Sequence, residues 1–328
     1  MLKQRITESV KNILNSAFGF DIYIIMKTGT PLLKRFVLEE GSPTAEEGFK
    51  IRICNSIRNT IQEKFLSEES LYADTCELAN EQNRFYVIKQ TEQYCPFNFL
   101  NIPEEELENF RFMDKDNADA ILFKFTIQRN GEIKQLWAYQ KIQPSSMPNR
   151  QKKHFQFIVK SQECPDIFKE MTDQMFMITR SVDLLLLKDE IITDQIGFME
   201  RHFGFENFLR NSATDVISEI AAVQLIENEN KLQEYVYRSN KRYAKKMMQI
   251  HKFPVATMDK QILIERLSYL ERWRNVFEIR ENQIYLRNYK DVENLIDFLT
   301  ERYTRSDVTG QEYDTSVKDK AEPVGREE

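Results

Sequence analysis

The sequence predicts an α+β protein with a mixed N-terminal half, followed by an antiparallel-containing sheet covered by a helical C-terminal half. Three observations lead to this class. Short apolar runs with strand-like alternation are concentrated before residue 195. The pair Asn130-Gly131 separates two such runs and predicts a hairpin. After Gln195, apolar residues recur mainly at helical spacing.

The N-terminal half begins with apolar residues at helical spacing from Leu2 to Ser16, which predicts a first helix. Three strands are predicted to follow, over Phe20–Met26, Lys34–Leu38 and Phe85–Lys89. A long helix is predicted between the second and third of these strands, from the Gly41 region to about Phe65. Pro103 precedes three glutamates and predicts another helix start, because acidic residues in a first turn complement the helix dipole.

The clearest pattern of the later sequence is the hairpin from Asp119 to Gln143, with Asn130-Gly131 as a type I′ turn. Further strands are predicted over Phe155–Val159 and Met175–Leu187. The helical part comprises predicted helices near 195–204, 206–226, 230–251, 258–273 and 292–303, with a short strand at 284–286. The predicted division is an N-terminal region 1–117, a core 118–305 and a flexible polar tail 306–328.

Composition limits the classes of function. A net charge of −6 gives no global attraction to nucleic acid, so any such binding must come from a local patch. Four dispersed cysteines and three histidines predict neither a structural zinc site nor disulfides. We expect no metal and no cofactor. The sequence holds no apolar run of membrane-spanning length, and we expect a cytoplasmic protein that a partner brings to any membrane.

The strongest local signal is a basic stripe on the predicted helix from Leu232 to Lys252. Its six cations fall on one arc of about 140°, at Arg238, Lys241, Arg242, Lys245, Lys246 and Lys252. An opposite apolar arc holds Val236, Tyr243, Met247 and Ile250. No acidic residue lies between Arg238 and Lys252, which predicts that ion pairs within the helix leave the stripe charged.

The segment around the stripe is basic as a whole. Residues 231–274 hold eleven basic and four acidic side chains, 11 − 4 = +7, which leaves −13 for the remainder of a chain of net charge −6. Such segregation fits a phosphate-binding face. It also fits a solvated face or an acidic protein partner. A second basic cluster, again either phosphate-binding or solvated, follows a Pro/Ser-rich segment at Arg150, Lys152 and Lys153.

An enzymatic alternative rests on Asp119 and the Glu132-Ile133-Lys134 run, because two carboxylates and a lysine can form a metal-dependent nuclease site. Pairing across the two-residue turn places Asp119 near residue 142. The two carboxylates are then about 30 Å or more apart. The sequence also lacks a P-loop, a GxGxxG run and a GxSxG run. We therefore predict no catalytic residues and favour a non-enzymatic protein.

One run carries a family resemblance. A buried strand ends at Leu184-Leu185-Leu186-Leu187, a polar turn follows at Lys188-Asp189-Glu190, and a return strand starts at Ile191-Ile192 before a docking helix. This order resembles the KwaB-like family of the bacterial Kiwa anti-phage defence system, most specifically over Met175–Ile226. The resemblance implies a DNA-binding effector subunit that blocks phage replication or expression by binding, and a membrane-embedded Kiwa partner that recruits it to the inner membrane.

Two alternatives stay open beside that interpretation. One is the metal-dependent nuclease, and the other is a scaffold that does not bind DNA and whose basic helix binds an acidic protein partner. We also expect self-association, as a homodimer or higher homo-oligomer, because broad exposed helical faces such as 206–226 often pair.

Overall fold

A computed structural model of the chain describes residues 2–28, 32–38, 48–74, 84–129, 131–142, 157–161, 164–170, 178–238, 244, 246–247, 250, 259–270, 272–300, 303–305 and 312–314. The backbone alone is described for 74, 104, 112, 157–161, 164–170, 303–305 and 312–314. These residues confirm the α+β class, with helices concentrated toward the C-terminal half. The chain divides into two compact units, the first formed by 1–72 and 87–194 and the second by 73–86 and 195–328.

Eight strands form one sheet. Their bounds are β1 Gly19–Met26, β2 Leu33–Arg35, β3 Leu71–Asp74, β4 Arg84–Lys89, β5 Ala118–Arg129, β6 Glu132–Lys141, β9 Leu184–Leu187 and β10 Glu190–Thr193. Their order across the sheet is β2-β1-β5-β6-β9-β10-β4-β3. The ladders that join β2 to β1, β1 to β5, β5 to β6, β6 to β9 and β9 to β10 are all antiparallel. The division predicted between 117 and 118 falls inside the first unit, because β1 and β5 are neighbours.

Two helices belong to the first unit, α1 over Leu2–Ser16 and α2 over Phe49–Phe65. The apolar residues that predicted α1 form its buried stripe, at Ile6, Val10, Ile13 and Leu14, and the helix contacts β5 and β6. In α2 the buried side chains are Ile57, Ile61 and Phe65. Both helices therefore use the i, i+3, i+4 spacing that places apolar side chains on one face.

The predicted strand–turn–strand run at 184–193 is confirmed. All four residues of β9 are buried, and Leu187 pairs with Glu190 across the turn. Lys188 has a φ of 55°, which lets the chain reverse within two residues. The strand was predicted to start at Met175, but residues 178–183 are not in a strand. The side chain of Gln140 donates hydrogen bonds to the hydroxyl groups of Thr179 and Ser181 in this segment.

The β5–β6 hairpin has the predicted register. Arg129 pairs with Glu132 beside the turn, and Ala120 pairs with Lys141 at the far end. Gly131 has a φ of 81°, in the left-handed region that the turn requires. Asn130 lies outside the described residues.

Replacing Gly131 by valine is expected to lower the free energy of unfolding by about 1 kcal/mol or more, because a β-branched residue resists positive φ. No atom lies within 4 Å of the position that a Cβ would take, so the cost should come from the backbone and not from a clash. Gly131→Asn is the matched control, since asparagine tolerates this conformation. Thermal unfolding measures both variants, and equal melting temperatures for Gly131→Val and the parent would contradict the assignment of the turn.

The second unit is mostly helical. Its helices are α3 Ile196–Phe203, α4 Phe205–Ala222, α5 Glu229–Arg238, α6 Lys260–Tyr269 and α7 Tyr289–Leu299. The short hairpins are β11 Glu278–Arg280 with β12 Gln283–Tyr285, and β13 Tyr303–Arg305 with β14 Glu312–Asp314. The junction between α3 and α4 is Gly204, whose φ of 65° lets one helix end and the next begin at the same residue. The predicted tail from 306 onward is described only at 312–314.

One prediction about another element was wrong, and one strand partner was not predicted. The segment after Pro103 forms a single 3₁₀ turn at Glu104–Glu106 and not a longer helix. The chain then lies along β2, where the amide N of Arg35 donates to the carbonyl O of Glu108 at 2.8 Å. The strand predicted at Phe155–Val159 is β7, Phe157–Ser161, and it pairs with a strand that was not predicted, β8 at Cys164–Glu170, outside the large sheet.

Candidate nucleic-acid interface

The basic segment starts on α5, which is held against α7 by its apolar and aromatic face. Leu232, Tyr235 and Val236 are buried. The Tyr235 hydroxyl donates to the Glu293 carboxylate at 2.6 Å, and the Tyr235 ring lies 5.0 Å from the Tyr289 ring between centroids. These contacts fix which side of α5 faces the protein, and Arg238 at its end remains exposed.

Arg238 is the first cation of the predicted stripe. Its side chain is 73% exposed, and its guanidinium lies 2.7 Å from the Glu234 carboxylate. The prediction that no ion pair within this helix reduces the stripe is therefore wrong at its first position. The stretch without acidic residues begins at Arg238, but the i−4 neighbour of Arg238 is Glu234, and an acid four residues before a base is the favoured order for such a pair.

Lys246 contradicts the prediction that it is an exposed member of the stripe. It is only 4% exposed, and its Nζ lies 2.7 Å from the Asp297 carboxylate on α7. On the helical wheel Lys246 lies at the edge of the cationic arc, about 40° from the buried Ile250. A partner carboxylate on the packed side is enough to draw such a border position into the protein. Lys246 is thus a structural ion-pair residue.

The apolar arc opposite the stripe is confirmed where it is described. Met247 is 0% exposed and Ile250 is 3% exposed, and both residues are helical. The other predicted contact residues lie outside the described residues, namely Lys241, Arg242, Lys245, Lys252, Arg150, Lys152 and Lys153. Of the nine predicted contact residues, the structure therefore describes Arg238 and Lys246.

The partner helix α7 has a rigid start. The Asn288 side chain caps it by accepting from the Asp291 amide at 3.1 Å. Asp291 is buried, and its carboxylate accepts from the backbone amide and the guanidinium of Arg287. Burial opposes ionisation of Asp291, but the hydrogen bonds from Arg287 outweigh it and hold the pKa of this carboxyl below its ordinary value. Asp297, two turns later on α7, is thereby positioned for Lys246.

The hairpin separates the residues of the nuclease alternative. The backbone amide of Ile142 donates to the Asp119 carbonyl at 3.0 Å, whereas Glu132 pairs with Arg129 at the other end of the same strands. Asp119 instead forms an ion pair with Lys141. Among the residues that the structure describes, no group of three or more His, Cys, Asp or Glu side chains could hold a metal ion.

A polar cluster that the sequence prediction did not include surrounds Lys141. Its Nζ contacts Asp119, and its backbone amide donates to the Asp183 carboxylate at 2.7 Å. The two carboxylates help to raise the pKa of the buried Tyr139 hydroxyl, for which burial is the main cause. The hairpin register pairs Lys141 with Ala120 and so brings it to the same end of the hairpin as Asp119, although strand alternation alone would place the two side chains on opposite faces. Asp183 approaches from another strand connection, which the sequence pattern does not fix.

These features define an α+β protein whose basic charge is segregated into one helical segment of its C-terminal half. The chain belongs to the Kiwa protein KwaB-like family, whose match covers residues 115–309, more than half of the chain. It is therefore a component of the Kiwa anti-phage defence system. No match was found among curated proteins or among solved structures. Within the described part of the chain, none of the helices has the length and apolar character needed to cross a membrane.

Proposed function

We propose that this chain is the DNA-binding effector subunit of a Kiwa complex, and that it blocks phage replication or expression by binding DNA. The observation that carries the proposal is charge segregation, +7 over residues 231–274 against −13 elsewhere. Phosphate contacts by lysine and arginine release counterions, so each contact adds to affinity even when the net charge of the protein is negative. Burial of Met247 and Ile250 supports the predicted orientation, in which Lys241, Arg242 and Lys245 fall on the opposite arc.

The structure alters the proposed contact set. Lys246 is excluded because its ammonium group is buried against Asp297. Arg238 stays in the set, although Glu234 partly offsets its charge. The proposed phosphate-binding residues are therefore Arg238, Lys241, Arg242, Lys245 and Lys252, and the cluster Arg150, Lys152 and Lys153 is a second proposed contact.

The proposed partners follow from the family. Kiwa membership indicates partner subunits in a complex, and we propose a membrane-embedded one that recruits this chain from the cytoplasm to the inner membrane. We also propose self-association. The exposed positions of α4 are polar except for Ala222 at its end; they are Asn207, Asn211, Asp215, Ser218 and Glu219. A contact between copies through α4 would therefore be hydrogen-bonded and not an apolar seam.

The deciding experiment is a titration of purified full-length protein against labelled duplex DNA, followed on a gel with and without Mg²⁺. Retarded DNA of unchanged length in both conditions supports binding without cleavage. Shortened products in the presence of Mg²⁺ would favour the nuclease alternative. Absence of any retardation at low salt would overturn the proposal.

Binding is also expected to be independent of sequence and to weaken steeply with salt. Four of the proposed phosphate contacts, Lys241, Arg242, Lys245 and Lys252, predict a slope of log affinity against log salt of roughly −3 to −4, at about 0.9 for each phosphate contact. Fluorescence anisotropy over a salt series, on several unrelated duplexes, gives this slope. A flat response, or a strong preference for one duplex, would be incompatible with phosphate-backbone binding.

A further inference from the structure

The end of α6 presents an exposed aromatic ring. Tyr269 is 88% exposed, the highest value among the large hydrophobic side chains that the structure describes. It shares the outer face of α6 with Ile262, Glu265 and Arg266, at the i−7, i−4 and i−3 positions, and all three are exposed. The other face of the helix is buried through Leu263, Ile264 and Leu267. The packing of α6 in its own unit therefore leaves the ring of Tyr269 unused.

The chain around this ring is held firmly. The backbone amide of Arg274 donates to the Leu270 carbonyl at 3.0 Å, and the Arg274 side chain donates from Nε to the Ser268 carbonyl at 3.4 Å. Trp273 is 4% exposed, and its ring lies 5.7 Å from the Phe298 ring between centroids. Tyr269 therefore lies between two arginines, Arg266 one turn before it and Arg274 hydrogen-bonded beside it.

The contacts that these arginines make within the protein do not explain why the Tyr269 ring is exposed. Arg266 and Arg274 stand at the C-terminal end of α6, where cations complement the helix dipole and bind free carbonyl groups. Both side chains are exposed, and no ion pair joins either of them to another described residue. A fully exposed tyrosine ring serves no such purpose. It offers a flat, exposed π-surface next to Ser268, whose carbonyl accepts from the Arg274 side chain.

We infer that Tyr269 is a stacking platform for an unpaired base of single-stranded nucleic acid, with Arg266 and Arg274 contacting the adjacent phosphates. The inference rests on the proposed function and extends it to a second surface and a second form of nucleic acid. Stacking on an aromatic side chain needs a free base face, which a duplex does not offer along its length. The two arginines favour a phosphate-bearing ligand, because a guanidinium group is well suited to contact phosphate oxygens.

The ring, and not charge, must supply most of the affinity at this platform. The sequence from 265 to 274 holds three arginines and two glutamates, a net charge of only +1. Binding here should therefore depend on Tyr269 and have a shallow salt slope of about −1.4, from two phosphate contacts at about 0.7 each. The basic stripe has the opposite character, so the two surfaces can be separated by experiment.

The test uses the full-length protein, a labelled 15-nucleotide oligothymidine strand and a labelled duplex of the same length. Tyr269→Ala is expected to weaken single-strand binding by at least about fivefold, from the loss of one stacked base, with duplex affinity unchanged. Tyr269→Phe and Tyr269→Trp keep a π-face and should stay within about twofold of the parent. Ile262→Ala removes an exposed apolar group from the same helix face and should leave both affinities unchanged. Circular dichroism confirms that each variant is folded.

The outcomes separate this inference from the proposed function. Unchanged single-strand affinity in Tyr269→Ala, while the parent binds duplex, overturns the platform and leaves the proposed function standing. A parent that binds only the single strand, in a manner that depends on Tyr269, supports the platform and overturns duplex binding. A parent that binds neither overturns both. If Ile262→Ala and Tyr269→Ala both lower the sedimenting mass and leave single-strand affinity intact, the face is a contact between copies and the platform is overturned.

Discussion

Lys246→Glu is expected to lower the free energy of unfolding by about 3 kcal/mol or more, the usual scale for leaving a buried charge without its partner. Lys246 is 4% exposed and its Nζ lies 2.7 Å from the Asp297 carboxylate. The substitution places a second carboxylate where the ammonium group was, so an attraction becomes a repulsion in a poorly solvated place. Urea unfolding followed by far-UV circular dichroism measures the loss.

Two further variants identify the cause. Lys246→Met keeps the apolar stem and leaves the Asp297 carboxylate, whose side chain is 31% exposed and can be hydrated, so its cost should be smaller. Adding Asp297→Asn to Lys246→Met removes the remaining charge and should recover part of that cost, which a double-mutant cycle quantifies. A Lys246→Glu protein as stable as the parent would show that the buried pair does not contribute to folding.

The position of Lys246 also decides how DNA binding must be tested. A charge reversal that includes Lys246 would damage the fold, and the loss of structure would be mistaken for the loss of a contact. The sequence alone favoured such a variant, because spacing on a helix shows which residues share an arc and not where the arc ends. The partner Asp297 lies 51 residues away along the chain, beyond the reach of any local pattern.

Local patterns predicted the local parts of the fold well. The bounds of α1 and the register of the β5–β6 hairpin follow from short-range rules, a period of 3.6 in one case and an Asn-Gly turn in the other. The pairing of β7 with β8 away from the large sheet depends on competition between distant strands, and the prediction missed it. The site shows the same difference between local and long-range contacts. The Arg238–Glu234 pair could be predicted from i, i+4 spacing, whereas the Lys246–Asp297 pair could not.

Simultaneous reversal of Lys241, Arg242 and Lys245 to glutamate is expected to weaken duplex binding by about 100-fold or more and to flatten its salt dependence. Each lost phosphate contact removes counterion release, and each new carboxylate repels the backbone. The fold should survive, because charge changes on an exposed helix face usually cost only tenths of a kcal/mol at each site. Lys246 is left unchanged in this variant, so its pair with Asp297 is preserved.

The matched control reverses three exposed cations outside the basic segment, Lys11, Lys89 and Arg129, and so changes the net charge by the same amount. If long-range charge alone governed binding, both triple variants would lose affinity equally; a local interface predicts that only the first does. A folded first variant that binds DNA like the parent would show that the stripe is not the interface. Suppose that this variant also failed to bind the Kiwa partner and to protect cells from phage. The basic helix would then be the docking site for an acidic protein surface. The same cations can bind DNA or a protein, but only the affinity for the protein partner would have changed.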